Sequence, residues 1–345
     1  MSKIIFYSFV CSAIFCFGCQ KNNSVTHEKN NSPAETMRSY LEKRNLPALE
    51  SAGIWENDFG PGLIITTKHY EIYTTLLEPL MVSEIPGFVE SAYRAYQNQF
   101  PSQINAQARS TIYLFKDRQQ WEAFTKSFVK EQARLYLKIK AGAYYHNGSC
   151  IAYNIGREKT FSVIAHEGWH QFNNRHFKYR LPSWLDEGIA MQFEAFREHK
   201  GIFYFEPSQN LYRLGSLKKT FARGDIIPLK DIITVNPGQV IVIDEQAVAA
   251  FYSQAYALIR FLKEDDYSRL LPNYYTLLMA GLDGDWPLSD EQKLVAVNRN
   301  IPMTIGWNQQ VGKMLFEEYI GEDFQKLEKQ YLQFCRKIVY HVRLK

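Results

Sequence analysis

The chain has 345 residues, of which 15% are aromatic, and its formal net charge is +4. A chain of this length can bury a substantial core as one large domain or as two lobes. The charge is modest and spread along the sequence without the basic stripe of nucleic-acid-binding proteins, so we expect no nucleic-acid partner.

The first residues predict export and attachment to a membrane. Residues 1–3 are a short positive start, and the apolar run over residues 4–17 is too short to span a bilayer, which is typical of a signal peptide over residues 1–18. Gly18-Cys19 resembles the cleavage site of bacterial lipoproteins, in which the cysteine becomes lipidated. The resemblance implies a protein of the bacterial cell envelope that is lipid-anchored to a membrane at Cys19, and an ordinary secreted protein is the alternative. Residues 19–45 are predicted to form a flexible tether.

The next part of the chain predicts a lobe that contains β-strands. Residues 63–75 alternate and are rich in β-branched and aromatic side chains, which predicts a strand pair or one long strand, and a further strand is predicted over residues 111–115. Helices are predicted over residues 85–100 and 118–136, the second with Asp117 as its N-cap.

A hairpin is predicted just before the most informative segment of the chain. Asn147-Gly148 is a hairpin turn signal, and the residues around Cys150 alternate as a strand does. His146, beside the turn, could contact substrate, but a histidine at a turn is more often simply solvated, so we place it outside any ligand set.

The segment His166-Glu167-Gly168-Trp169-His170 is an H-E-x-x-H signature. On a helix, the two histidines lie on one face and can both reach one metal ion, while the glutamate can reach a water molecule on that ion. Apolar neighbours at helical spacing predict that this helix is buried, and a bound metal would account for polar side chains in such a place. A catalytic Zn²⁺ site has three protein ligands and one open position.

Two residues compete to be the third ligand. His176 lies six residues after His170, a spacing that resembles the metzincins, with Asn173 where those enzymes place a glycine. Glu187 lies seventeen residues after His170, in a second apolar helical segment with Ser183 as a plausible N-cap.

The stretch over residues 166–194, and above all Leu181-Pro-Ser-Trp-Leu-Asp-Glu-Gly-Ile-Ala190, resembles the gluzincins, the peptidase MA-like superfamily. Within that superfamily, the stretch resembles bacterial metallopeptidases of which many are known only as domains of unknown function. The resemblance implies an α+β fold with a β-containing N-terminal lobe, an active-site helix and a mostly helical C-terminal lobe. It also implies His166, His170 and Glu187 as zinc ligands, and Glu167 as the catalytic residue.

A long apolar helix is predicted over residues 244–262. From Tyr252 onward it resembles the helix of aminopeptidase N-like gluzincins whose leading tyrosine stabilises the oxyanion, although Ser253, Gln254 and Ala255 replace the Glu, Lys and Gly of those enzymes. The resemblance implies Tyr252 as a second catalytic residue, with Tyr256 as a weaker candidate.

Two further questions stay open at this point. Glu194 lies on the same helical face as Glu187, and either orients a ligand histidine or is exposed. Cys150 and Cys335, the cysteines left after the leader and the anchor, could pair in an oxidising compartment.

The chain is therefore predicted to hold a catalytic domain over residues 46–265 and a helical region over residues 266–345 packed on it. Within the latter, helices are predicted over residues 267–280 and 322–340, with turns between residues 281 and 306.

We expect a zinc metallopeptidase that acts on a peptide or protein substrate. One alternative is a non-catalytic envelope protein that keeps the peptidase fold for binding. The other is a metallohydrolase that acts on a cell-wall bond. The Gly-x-Met-Glu-Asn signature of aminopeptidase N-like relatives is absent, which argues against an aminopeptidase.

Overall fold

A mixed six-stranded sheet organises the first part of the fold. The structure, a computed structural model, describes residues 32–105, 108–140, 142–241 and 244–343. The strands are β1 (Ser51–Trp55), β2 (Gly62–Thr66), β3 (Tyr70–Thr74), β4 (Ser110–Phe115), β5 (Ala143–His146) and β6 (Ser149–Tyr153). Their spatial order is β1-β2-β3-β4-β6-β5; β3, β4 and β6 run parallel, and the other neighbours are antiparallel. β5 is therefore an edge strand.

Helices make up most of the rest, so the described chain is of the α+β class. They are α1 (Pro33–Glu42), α2 (Pro79–Gln97), α3 (Arg118–Val129), α4 (Ala133–Tyr136), α5 (Arg157–His176), α6 (Ser183–Ala190), α7 (Leu211–Arg223), α8 (Leu229–Ile232), α9 (Pro237–Ile241), α10 (Glu245–Glu264), α11 (Leu271–Asp283), α12 (Asp290–Val297), α13 (Ile305–Tyr319) and α14 (Phe324–Ile338). A small hairpin, β7 (Phe196–His199) and β8 (Ile202–Phe205), follows α6.

The sheet is covered on both faces, because alternate residues of its central strands point to opposite sides. On one face, Ile112 of β4 and Cys150 of β6 belong to the main core, together with buried residues of α2 and α5. On the other face, Ile151 packs in a smaller aromatic core around Trp121 of α3, whose indole N–H donates to the Ile151 carbonyl at 3.2 Å.

The helix that carries the H-E-x-x-H residues, α5, lies against β5, β6 and α2. Gly168 is what allows α2 to come close. A Cβ at this position would lie 2.5 Å from the Tyr96 hydroxyl, which donates a 2.7 Å hydrogen bond to the Ala165 carbonyl. The spacer glycine of the motif therefore sets how α5 is packed.

Several sequence predictions are confirmed and some are wrong. Strands β2, β3 and β4, the β5–β6 hairpin and the Asp117 N-cap are as predicted. The helix predicted over residues 118–136 is interrupted at Lys130, whose φ is 49°. Ser183 is not an N-cap; Pro182 is, and the Ser183 N–H is instead satisfied by the Asn308 side chain at 2.8 Å.

The predicted tether over residues 19–45 is wrong in its last part. α1 begins with a capping box formed by Ser32 and Glu35, and it buries Ala34, Met37 and Leu41 in the main core. Three apolar side chains at helical spacing were enough to order this polar segment. The predicted signal peptide, the anchor at Cys19 and the start of the tether lie outside the described residues. Within the described part, no helix combines the length and hydropathy needed to cross a bilayer.

The predicted C-terminal region is continuous with the rest of the fold. The main core runs without a break from α1 to α14. The segment predicted as turns after residue 281 contains α12, whose capping box at Ser289 and Gln292 was not recognised. Cys150 and Cys335 are both buried free thiols, so the disulfide that they could have formed is absent.

Candidate metal centre

The H-E-x-x-H residues place two imidazoles on one face of α5. The ring centroids of His166 and His170 are 5.1 Å apart. Glu187, from the middle of α6, approaches both rings: its Oε2 lies 3.3 Å from His166 Nε2 and 4.0 Å from His170 Nε2. One ligand atom from each of the three residues falls within 4.8 Å of the others. The structure thus brings together the three side chains that the resemblance to gluzincins implied.

Each imidazole is oriented through its second nitrogen by a carboxylate. His166 Nδ1 lies 3.0 Å from Glu194 Oε1, and His170 Nδ1 lies 3.2 Å from Asp186 Oδ1. In metal sites, such partners fix the ring and the tautomer so that the other nitrogen is free to bind the ion. Glu194 is therefore one of these orienting residues, because its carboxylate lies beside the His166 ring and only 11% of its side chain is exposed.

The two orienting carboxylates are themselves held firmly. Glu194 receives a bidentate contact from Arg213, at 2.6 and 2.8 Å, and a further hydrogen bond from Asn210 at 2.9 Å. Asp186 accepts hydrogen bonds from the Trp169 indole at 2.9 Å and from the Asn173 amide at 3.0 Å. Asn173, which stands where metzincins place a glycine, therefore holds a carboxylate that contacts His170.

The charges of this cluster favour a cation. Burial by itself would lower the pKa of His166, but Glu187 and Glu194 outweigh it and raise that pKa to about 10. For His170 the opposing charge of Asp186 raises the pKa to about 9 against the effect of burial. Burial likewise works to raise the pKa of Glu194, yet the Arg213 guanidinium holds it well below its ordinary value. The carboxylates therefore stabilise positive charge where the two rings meet.

The residues fit a zinc ion by their chemistry. Two imidazole nitrogens and one carboxylate oxygen are a donor set that catalytic zinc sites use, with one position left for solvent or substrate. Both Nδ1 atoms have carboxylate partners, whereas both Nε2 atoms face the Glu187 oxygen. A cation among the three ligand atoms would satisfy all of them at once.

Glu167 lines the same cavity, which has a volume of about 450 Å³. It is not among the three grouped ligands. Burial raises the pKa of its carboxyl, while the two histidines and a backbone hydrogen bond with Tyr145 of β5 work in the opposite direction. A carboxylate in this position can accept a proton and later return it.

Of the two tyrosines considered, only Tyr252 lines the cavity. Burial raises the pKa of its phenol well above 10, so the hydroxyl remains a hydrogen-bond donor, and within the described residues it has no protein partner. The Arg213 guanidinium lies 5.4 Å from the centre of its ring. Tyr256 is fully buried, and its hydroxyl donates to the Pro207 carbonyl at 2.5 Å, which leaves it unable to serve the site.

The remaining candidate histidines lie elsewhere. His176 is the last residue of α5, with its ring 4.3 Å from that of Phe172, and burial lowers its pKa to about 4. It is not part of the grouped ligands, so the metzincin-like arrangement is not formed. His146 is bonded to the Tyr136 hydroxyl at 2.9 Å.

Sequence reasoning did not identify Asp186 or Arg213 as parts of the site. Asp186 precedes Glu187 directly and carried a signal, since an acidic residue beside a ligand glutamate is available to a neighbouring histidine. Arg213 comes from α7 and had no local signal. No protein-family model matches the chain, and no curated protein matches it significantly.

Proposed function

We infer that the protein is a zinc-dependent peptidase of the gluzincin type, exported and lipid-anchored at Cys19 in a bacterial cell envelope. The observation that carries the proposal is the convergence of His166 Nε2, His170 Nε2 and Glu187 Oε2 on one point, with a carboxylate behind each ring. Zinc bound there would supply Lewis acidity, polarising a carbonyl and lowering the pKa of a water molecule towards neutrality.

Residues of the chain itself carry out proton transfer, stabilise the developing charge and orient the two imidazoles. Glu167 takes the proton from the attacking water and delivers it to the leaving amine nitrogen, for which its raised pKa is suitable. The Tyr252 hydroxyl has no hydrogen-bond partner among the described residues. It donates a hydrogen bond to the substrate carbonyl oxygen as negative charge develops on that oxygen. Glu194 and Asp186 keep the two rings in place throughout.

The edge strand β5 supports an extended peptide as the substrate. It lies beside α5, and Ala143, Tyr144 and Tyr145 line the cavity together with Glu167. In an antiparallel pair, every second residue of an edge strand directs its backbone N–H and C=O away from its partner strand. A peptide can pair with these groups and so place its carbonyl beside Glu167.

A change at Glu167 tests the proposal. Glu167→Gln should bind zinc as the wild type does, because the residue is not a ligand, yet lose at least ~100-fold in kcat, because general acid–base catalysis is removed. The readouts are metal content and turnover of a library of short peptides by the metal-loaded full chain. Glu158→Gln, an exposed change at the start of the same helix, is the matched control and should leave both unchanged. Full activity of Glu167→Gln, or a wild type that binds no zinc, would contradict the proposal.

A further inference from the structure

Two arginines line the same cavity as the candidate zinc ligands. Arg180 comes from the segment between α5 and α6, and Arg299 from the segment between α12 and α13. They reach one cavity because the Arg180 N–H pairs with the Ala296 carbonyl at 2.9 Å, which joins the two segments. Neither residue has a part in the chemistry described above.

Both guanidinium groups are held by backbone oxygens and not by carboxylates. Arg180 Nη2 donates to the carbonyls of Asn298 and Ile301, at 2.5 and 2.8 Å. Arg299 Nη2 donates to the Phe177 carbonyl at 3.1 Å. Within the described residues, no carboxylate forms an ion pair with either group. Most N–H donors of the two guanidinium groups therefore have no hydrogen-bond partner among the described residues.

This arrangement of charge is costly in the free protein. Burial lowers the pKa of Arg299 to about 10, and the neighbouring positive charge of Arg180 works in the same direction. The Nε of Arg180 is buried without a hydrogen-bond partner. Asp186 attracts Arg299 but is already engaged by His170, Trp169 and Asn173. Two partly buried cations without a counter-ion are stabilised by an anionic ligand.

We propose that Arg299 and Arg180 form a subsite for a substrate carboxylate, so that the peptides cleaved carry an acidic group near the scissile bond. This inference rests on the proposed peptidase function and names its substrate class. A guanidinium binds a carboxylate through two parallel hydrogen bonds, which fixes both position and direction. Tyr145, on the edge strand that would hold the peptide, lies close enough to Arg299 to interact with it electrostatically. The carboxylate comes either from an Asp or Glu side chain or from the C-terminus of the peptide.

The test compares matched peptides on the metal-loaded full chain. One series places Glu or Gln at each position around the scissile bond, and the other ends in a free carboxylate or an amide. We expect kcat/KM for the carboxylate member of at least one pair to exceed that of its neutral partner by about tenfold or more. In Arg299→Gln this ratio should fall towards one, and Arg299→Lys, which keeps the charge but not the planar group, should lie between. Arg223→Gln, an exposed arginine of α7, is the matched control and should keep the wild-type ratio.

Direct binding separates this inference from the proposed function. Affinities of the same peptide pairs for Glu167→Gln protein, measured by calorimetry, do not require turnover. Carboxylate-dependent binding that is lost in Arg299→Gln supports the subsite even if no peptide is cleaved. Equal cleavage and equal binding of both members of every pair would overturn the subsite while leaving the peptidase intact. If cleavage or binding weakens when the C-terminus is amidated, the subsite takes the C-terminal carboxylate of the peptide. If it weakens when Glu is replaced by Gln, the subsite takes a side-chain carboxylate.

Discussion

At the scale of single residues, the site depends on paired roles within α5 and α6. His166 and His170 each present one nitrogen to Glu187 and the other to a carboxylate. Adjacent residues of α6 have different roles, because Asp186 orients the His170 ring while Glu187 faces the Nε2 atoms of both rings. A change at either residue should therefore affect metal binding, but by different amounts.

The third ligand can be tested by a pair of alanine changes. Glu187→Ala should weaken zinc binding by more than the ~10–100-fold that the loss of an outer partner causes, because a direct ligand is removed. His176→Ala should not alter zinc affinity, because that ring packs against Phe172, outside the ligand group. Metal titration of the purified proteins gives the readout. The opposite pattern would restore the metzincin-like arrangement and exclude the one described here.

Asp186 offers a second test at this scale. Asp186→Asn removes the negative charge behind His170 while keeping an oxygen that can accept from Trp169, so zinc affinity should fall by ~10–100-fold with the fold intact. Competition with a chelator of known affinity measures the change. Asp225→Asn, at an exposed position after α7, serves as the control. An unchanged affinity in Asp186→Asn would remove Asp186 from the site.

At the scale of elements, the close approach of two helices sets the position of Glu187. Gly188, the next residue of α6, faces α10, and a Cβ there would lie 2.6 Å from Ile259 Cγ1 and 2.8 Å from the Ala255 carbonyl oxygen. The backbone of α10 cannot yield as a flexible side chain does. The Glu187-Gly188 pair thus places a candidate ligand next to the residue that lets α6 pack closely on α10.

Gly188→Ala should therefore reduce the free energy of unfolding by about 1–3 kcal/mol, because the added methyl overpacks the α6–α10 contact. Gly215→Ala is the matched control. Gly215 lies inside α7 with open space where a Cβ would be, so this change should stabilise the protein by up to about 1 kcal/mol. Urea denaturation of the wild type and the two variants measures the free energy of unfolding. Equal effects of the two substitutions would show that the α6–α10 contact at Gly188 is not tight.

At the scale of the whole molecule, distant parts of the chain support the centre. The fully buried Asn308 of α13 accepts from the Ser183 N–H at 2.8 Å and donates to the Thr234 carbonyl at 3.1 Å. Trp184, next to Ser183, packs its ring against Phe316. α13 therefore holds the start of α6, and the region after residue 265 packs in the same unit as the candidate metal centre.

Lys263, near the end of α10, should make the global stability depend on pH. Its Nζ is bonded to Gln99 Oε1 at 2.9 Å, and burial lowers its pKa to about 8, below the 10.5 of a free lysine. The unfolded chain binds the Lys263 proton more tightly than the folded chain does. The charge therefore lowers the free energy of unfolding by its full amount below pH 8, and this loss disappears as pH rises towards 10.5.

Lys263→Met should accordingly be more stable than the wild type by about 1–3 kcal/mol at pH 7, and the difference should shrink towards zero at pH 10. Urea unfolding at both pH values measures it. Lys219→Met, at an exposed position of α7, should show no such difference. A destabilised Lys263→Met protein at pH 7 would mean that the bond to Gln99 outweighs the cost of burial.

Local periodicity and turn chemistry were enough to predict several elements from the amino-acid sequence. The strands around residues 63–75, the β5–β6 hairpin and the helix that carries His166 and His170 follow from patterns only a few residues long. Such patterns cannot show which residues meet across the core. It is the folded chain that shows Glu187, and not His176, beside the two rings, and Arg213 against Glu194. These contacts join residues 17 to 21 positions apart, and packing over the whole core, not the local order of residues, sets their geometry.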